Sequence, residues 1–216
     1  MSHGTRIKIC GVTLTDDAAR VAALGADYIG LNFWPSSRRY LEPGRANLVA
    51  STARAIGPLE VVGIFVDADV DDVREVLDHV DLDVIQLHGD EAPETVQRIA
   101  EVTGKRVWKA ISVGSSRDLA HLEIWPADAL LLDTPTSGRG GSGEVFDWSL
   151  AAEARRRYPA RRLVLAGGLD ATNVAAAIAA VAPWAVDVAS GVEAGPGIKD
   201  PDRLAAFVTA ARGTAP

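Results

Sequence analysis

Eight short runs of aliphatic and β-branched residues recur along the chain, each followed by an Ala-rich or amphipathic stretch, and this alternation sharply narrows the folds open to it. The runs are RIKIC (6–10), YIGLNF (28–33), EVVGIFV (60–66), DVIQLH (83–88), RVWKAI (106–111), ALLLD (129–133), RLVLAG (162–167) and AVDVAS (185–190). Between them lie helical patterns such as TDDAARVAALG, DVDDVREVLDHV, PETVQRIAEV and DATNVAAAIAAV. Several open on a Thr or Asp able to cap free amides, and AALG ends on a glycine suited to the position after a helix. Strand alternating with helix implies parallel pairing through crossover connections. Eight strand–helix units of roughly 22–30 residues each are what a (β/α)8 barrel requires. An open doubly wound sheet usually has fewer strands, and no G-x-G-x-x-G follows the first run. The expected fold is therefore α/β, a single-domain (β/α)8 TIM barrel with eight helices spanning residues 1–216.

Side chains alternate along a strand, so every second residue of each run points into the barrel. The parity containing Lys8 and Cys10 is taken as inward on the first strand. On the others the inward set comprises Gly30 and Asn32, then Gly63, Phe65 and Asp67, then Gln86 and His88, Lys109, Asp133 and Asp187. The alternate positions are mostly Ile, Val or Leu, namely Ile7, Ile9, Ile64, Val66, Ile85, Leu87, Leu130, Leu132, Val186 and Val188, which suits packing against outer helices. Polar residues thus gather on one parity and mostly at the C-terminal strand ends, where barrel enzymes carry their active sites.

Two late strand ends are rich in glycine, LAGGLDATN after the seventh and VASGVEAGPG after the eighth. Gly167, Gly168, Ser190 and Gly191 can present backbone N–H groups to an anion beside helix N-termini, and these two loops are the recurrent phosphate site of the fold. The segment TPTSGRGGSGEVFDW after strand six, with Gly138, Gly140, Gly141 and Gly143, is long for its place and suits a lid. The loop FWPSSRRYLEPG after strand two offers Arg38 and Arg39, either of which can grip a carboxylate bidentately.

Other classes of function fall away on charge and cysteine count. The net charge is −7 with no basic block beyond short clusters such as ARRRYPARR, so no nucleic-acid partner is expected. No apolar run reaches the ~18 residues of a membrane span, and the N-terminus lacks a signal-type stretch, so no membrane partner is expected either. One cysteine, Cys10, excludes an internal disulfide framework and a Cys-rich zinc site, and fits the reducing cytoplasm. The four histidines, His3, His79, His88 and His121, show no ligand spacing; no metal or other cofactor is expected, and His88 reads as a structural or supporting group.

The ordered motifs KICGVT, GLNFWPSSRRY, VGIFVD, VIQLHGDE, LLLDT, GGSGEVFDW, LAGGLDATNV and VDVASGVEAGPGIKD, spanning nearly the whole chain, resemble the phosphoribosylanthranilate isomerase family of tryptophan biosynthesis. The resemblance implies a single (β/α)8 barrel that carries out a cofactor-free Amadori rearrangement. N-(5-phosphoribosyl)anthranilate becomes 1-(2-carboxyphenylamino)-1-deoxyribulose 5-phosphate. It further implies Cys10 as general base at ribose C2, Asp133 as general acid at the ring oxygen, Arg39 on the anthranilate carboxylate and Asp187 on the sugar hydroxyls. The glycine-bearing loops would hold the phosphate of a phosphorylated small-molecule substrate, in a monomer or homodimer. An ordinary thiol titrates near ~8.5, so Cys10 calls for a neighbouring cation, and Lys8 shares its parity. Asp133 as an acid calls for a partly desolvated setting, for instance beside a second carboxylate. Ser142 stands in the lid where the family pattern would place a threonine within the middle glycine pair.

Three other readings compete. A related isomerase of histidine biosynthesis performs the same rearrangement on a substrate with two phosphates, but would want an aspartate where Cys10 stands and phosphate sites in both halves. A noncatalytic barrel binding a phosphorylated metabolite would tolerate loss of Cys10 or Asp133. A metal-dependent sugar-phosphate epimerase needs converging His and acidic ligands.

Overall fold

The computed structural model describes residues 4–135 and 146–213. Eight parallel strands close into a barrel in the order β1 to β8: Arg6–Cys10, Tyr28–Asn32, Glu60–Phe65, Val84–Leu87, Arg106–Ser112, Ala129–Asp133, Leu163–Leu165 and Ala185–Val188. Around them pack α1 (Thr15–Ala23), α2 (Pro43–Ile56), α3 (Val70–Leu77), α4 (Pro93–Thr103), α5 (Trp148–Arg157), α6 (Val174–Val181) and α7 (Pro201–Arg212). A small antiparallel hairpin, β9 (Glu193–Gly195) and β10 (Ile198–Lys199), sits between β8 and α7.

Eight helices were expected, and the described residues hold seven α-helices. After β5 the chain makes only a 3₁₀ turn, Leu122–Ile124, before β6. The sequence there, SVGSSRDLAHLEIWPADA, has two adjacent serines after a glycine and too few apolar residues in register to build a core-facing stripe. The helices that do form are well terminated. Asp69 and Asp72 make a reciprocal capping box on α3, and Asp200 accepts from the N–H groups of Asp202 and Arg203 at the start of α7. The three arginines Arg155, Arg156 and Arg157 lie in the last turn of α5, where positive charge complements the helix dipole.

Strand register decides which residues line the barrel, because directly paired residues of parallel neighbours face the same side. Cys10 pairs with Gly30, Gly30 with Val62, Val62 with Val84, and Gln86 with Trp108. The circuit continues through Trp108–Ala129, Leu131–Val164 and Val164–Ala185, and closes with Lys8 against Asp187. Lys8, Cys10, Gly30, Gln86, Asp133 and Asp187 thus face inward as expected. On β3 the expected parity is reversed. Val62 and Ile64 face inward, and Gly63 and Phe65 face the helix layer, where a Cβ at Gly63 would stand 2.4 Å from Leu82 Cδ1. Asp67 follows on the outer side, its N–H donating to Glu91. Lys109 is likewise outside: Trp108 and Ala110 fill the barrel, while Lys109 Nζ meets Glu91 Oε2 at 3.0 Å and lies over the Trp125 ring. The cause is the same in both places. Alternation fixes which residues share a face within a strand, but the neighbours' register decides which face that is.

The N-terminal half of the barrel interior is packed by Tyr28, Val62, Val84, Trp108, Ala129, Leu131, Val164 and Ala185. Tyr28 and Trp108 meet edge to face at 4.9 Å, Trp184 closes the cluster at 5.6 Å from Trp108, and Arg6 lies over Trp184 while donating to the Tyr28 hydroxyl at 2.6 Å. This plug leaves only the C-terminal half of the barrel to polar residues. Truncating its largest side chain, Trp108→Ala, removes a fully enclosed ring and is expected to cost about 3–5 kcal/mol, read as a lower urea midpoint at unchanged slope.

Candidate active site

The site is built where the strands end. Lys8 and Cys10 project from β1, Asp187 from β8, and Asp133 from the last residue of β6. Lys8 is fully enclosed, and its Nζ donates to Asp187 Oδ1 at 2.9 Å. A buried cation without a partner would be costly, so the two residues depend on each other for their place. Cys10, half-buried, lies above this pair. Burial pushes its thiol above the usual range; the Lys8 ammonium opposes the shift, Asp187 reinforces it, and the Lys199 ammonium opposes it again. The net direction is upward. Lys8 does supply the positive charge expected of it, yet not enough to bring the thiol below its ordinary value.

Asp133 is mostly enclosed, with 15% of its side chain exposed. Its Oδ1 accepts from the N–H of Thr134 at 2.8 Å, and its Oδ2 lies 3.5 Å from His88 Nε2. The neighbour is thus an imidazole rather than the second carboxylate expected from sequence. His88 is itself held by Gln86, whose amide nitrogen lies 3.0 Å from Nδ1.

The glycines after β7 and β8 form one surface. Gly167 and Gly168 both take positive φ, +86° and +64°, which few other residues adopt without strain. A Cβ at Gly167 would stand 2.4 Å from Thr134 Oγ1 and 3.1 Å from Asp133 Oδ1, so this glycine also keeps the surroundings of Asp133 open. At Gly191 a Cβ would stand 2.0 Å from the carbonyl oxygen of Leu169 and 3.1 Å from Asp170 Cβ. The two loops are therefore in backbone contact. Asn173 ties the first of them together, donating to Gly168 O at 2.9 Å and accepting from Asp170 N. Ser190 begins the short 3₁₀ turn Ser190–Val192 beside them.

Arg38 is exposed, whereas Arg39 reaches back over the end of β1. Its aliphatic stem covers Gly11, where a Cβ would stand 2.4 Å from Arg39 Cδ. The guanidinium does not stand alone: Nε donates to Glu193 Oε1 at 2.8 Å and Nη2 to Oε2 at 2.7 Å. Lys199, across the β9–β10 hairpin, donates to the same Oε1 at 2.8 Å and to the carbonyl oxygen of Cys10 at 2.6 Å. Burial would raise the Glu193 carboxyl, but Arg39 and Lys199 outweigh it and hold it below the usual carboxylate range. Sequence reasoning did not single out Glu193 or Lys199. The signal was there: an acidic and a basic residue flank the turn Gly195-Pro196-Gly197, and a hairpin places them opposite each other.

Of the segment proposed from sequence as a lid, Gly138, Gly140, Gly141, Ser142 and Gly143 lie outside the described residues. Among the described residues no cluster of His, Cys, Asp and Glu has the form of a metal site, and no helix is long and apolar enough to cross a membrane.

Comparison with known proteins finds a match over residues 7–210 to the family described as N-(5'phosphoribosyl)anthranilate (PRA) isomerase. The N-(5'-phosphoribosyl)anthranilate isomerase of Ralstonia nicotianae is 48% identical, over 97% of this chain and 94% of its own length. Among solved structures, monomers generated from the dimeric phosphoribosylanthranilate isomerase of Thermotoga maritima superpose with a TM-score of 0.85 at 41% identity, covering 97% of this chain and 99% of theirs. A further phosphoribosylanthranilate isomerase, solved in complex with reduced 1-(o-carboxyphenylamino)-1-deoxyribulose 5-phosphate, gives 0.83 at 39% identity with the same coverage.

Because Cys10 is the only cysteine, its titration can be read directly from alkylation. Iodoacetamide reacts with the thiolate, so the rate is expected to rise with a midpoint above ~8.5, the ordinary thiol value. Asp187→Asn removes a neighbouring negative charge and should move that midpoint down; a wild-type midpoint at or below neutral pH would contradict the burial argument.

Proposed function

Since the chain belongs to the N-(5'-phosphoribosyl)anthranilate isomerase family and is an aldose–ketose isomerase of tryptophan biosynthesis, we propose that Cys10 and Asp133 are the acid–base pair of its Amadori rearrangement. The observation that carries this reading is the arrangement of a thiol and a carboxyl group at the same end of one barrel, on β1 and β6, with the glycine loops of β7 and β8 alongside.

In this scheme the phosphate of the substrate lies on the loops bearing Gly167, Gly168, Ser190 and Gly191, whose lack of side-chain bulk lets backbone N–H groups approach it. Arg39 receives the anthranilate carboxylate, and the Asp187 oxygen not engaged by Lys8 receives a sugar hydroxyl. Asp133 gives its proton to the ring oxygen as the C1–O bond breaks, leaving a cationic Schiff base between C1 and the anthranilate nitrogen. The thiolate of Cys10 then takes the proton from C2, and the electron pair of that C–H bond neutralises the iminium to give an enol amine. Tautomerisation, with the C2 hydroxyl losing its proton and C1 gaining one, yields the ketose. Each proton step needs a group of the right state at the right place, and no metal or organic cofactor is called for.

A thiol whose titration is raised is a stronger base once ionised, and the chemistry supplies help when the base is needed. The Schiff base is a positive charge formed beside Cys10, adding to Lys8 and Lys199, and it favours the thiolate. His88 lies against Asp133 Oδ2 and steadies that carboxyl group, as Gln86 steadies His88. The histidine-pathway reading lacks support here: the β1 end carries a thiol rather than a carboxylate.

The test is the decay of N-(5-phosphoribosyl)anthranilate fluorescence. Wild type should turn it over. Cys10→Ser and Asp133→Asn should each lose about 10²–10⁴-fold in kcat while still binding a product analogue. Full activity in either variant would remove that residue from its role.

A further inference from the structure

Arg39, Glu193 and Lys199 form a graded set. Lys199 has none of its side chain exposed and Glu193 5%, while Arg39 keeps 14%. Two cations share one carboxylate, so a single positive charge is left over, and the member nearest solvent carries it. Glu193 occupies one edge of the guanidinium, formed by Nε and Nη2. The end-on edge, formed by Nη1 and the second hydrogen of Nη2, points away from that bond and has the geometry for a second bidentate carboxylate. Glu193 is itself pinned from three further directions. Lys199 Nζ and Gly197 N donate to its Oε1, at 2.8 and 3.1 Å, and Arg203 donates to its backbone carbonyl at 2.7 Å. The hairpin that presents it is tied to the end of β1 through Lys199 on Cys10 O, and to the segment after β1 through Thr13 on Gly197 O.

From this arrangement we infer that Glu193 is a specificity-determining positioning residue, which fixes Arg39 edge-on so that its outer edge selects a substrate whose aromatic amine bears an ortho carboxylate. The inference rests on the reading of Arg39 given under the proposed function. Lys199 is what allows a carboxylate to do this without repelling another: it offsets the charge of Glu193, so that Arg39 meets the substrate as a cation. Left without Glu193, the guanidinium sits on a long side chain from an exposed loop, and its outer edge has no fixed direction.

The experiment compares two stable ligands made by reductive amination of ribose 5-phosphate, one with anthranilate and one with aniline. They differ only in the carboxylate. Dissociation constants are measured by calorimetry for wild type, Glu193→Gln and Glu193→Asp. Wild type should prefer the carboxylated ligand by on the order of 10- to 100-fold, the range of a charge-assisted bidentate pair. Glu193→Gln presents an N–H to Nη2 and should reduce that preference to about threefold or less, leaving the aniline ligand within about twofold of wild type. Glu193→Asp keeps the charge but falls one methylene short of the two-point contact; it should lie between, and it serves as the readout if the Gln variant fails to fold. Equal weakening of both ligands would reveal a structural role only and overturn the inference, as would an unchanged preference. If wild type itself shows no preference, Arg39 does not bind the carboxylate, and the reading beneath the inference fails first.

Discussion

The closure of the sheet between β1 and β8 is the contact on which the site depends. It joins residues from opposite ends of the chain through a parallel register that sets Lys8 against Asp187, and a buried ion pair spans that seam inside the barrel. A buried pair of this kind is poor evidence for stability, since desolvation takes back much of the Coulomb gain. Its value here is positional. Breaking either partner strands a charge in the barrel, so the seam tolerates one register, and that register puts Cys10 level with the loops that follow β8.

From that seam the remaining geometry follows in two directions. Toward β2, Cys10 pairs with Gly30, and the loop beyond β2 folds back so that Arg39 covers Gly11. Toward β8, the hairpin Glu193–Lys199 reaches across to hold the Cys10 carbonyl and the Arg39 guanidinium. On the far side, Gly167 after β7 lies so close to Asp133 and Thr134 that no side chain fits there. Asp133, Cys10, Arg39 and the glycine loops after β7 and β8 therefore share one end of the barrel, and the aromatic plug around Trp108 closes off the other. A polar half above a packed half gives these groups a floor, and the burial of Cys10 upon it is what raises the thiol.

Much of this was readable in the order of residues. Period-two runs gave all eight strands to within about two residues of their ends, the usual scatter, and the helical stretches placed α1, α3, α4 and α6, although α3 ends three residues sooner and α6 begins four residues later than the patterns suggest. The missing helix after β5 lies in a segment whose serines and glycine never offered an apolar stripe. Cys10, Asp133 and Asp187 were identifiable because a polar residue closing or interrupting an aliphatic strand is conspicuous. Glu193 was less so, because within a glycine-rich turn an acidic residue reads as ordinary surface.

What the sequence by itself determined is the set of local periods and the chemistry placed at their ends: a strand of Ile and Lys stopping on a lone thiol, glycines where backbone must approach closely, a Gly-Pro-Gly turn between opposite charges. What only the tertiary structure decided is how separate segments face one another. Whether Gly63 and Lys109 turn in or out depends on neighbouring strands, since alternation carries no absolute sign until register supplies one. Arg39 and Glu193 are 154 residues apart, and His88 reaches an aspartate on a strand two further round the barrel. Nothing in either local sequence encodes those meetings. They arise because closing a tilted sheet brings all strand ends to one rim, where short-range forces between distant residues then choose the partners.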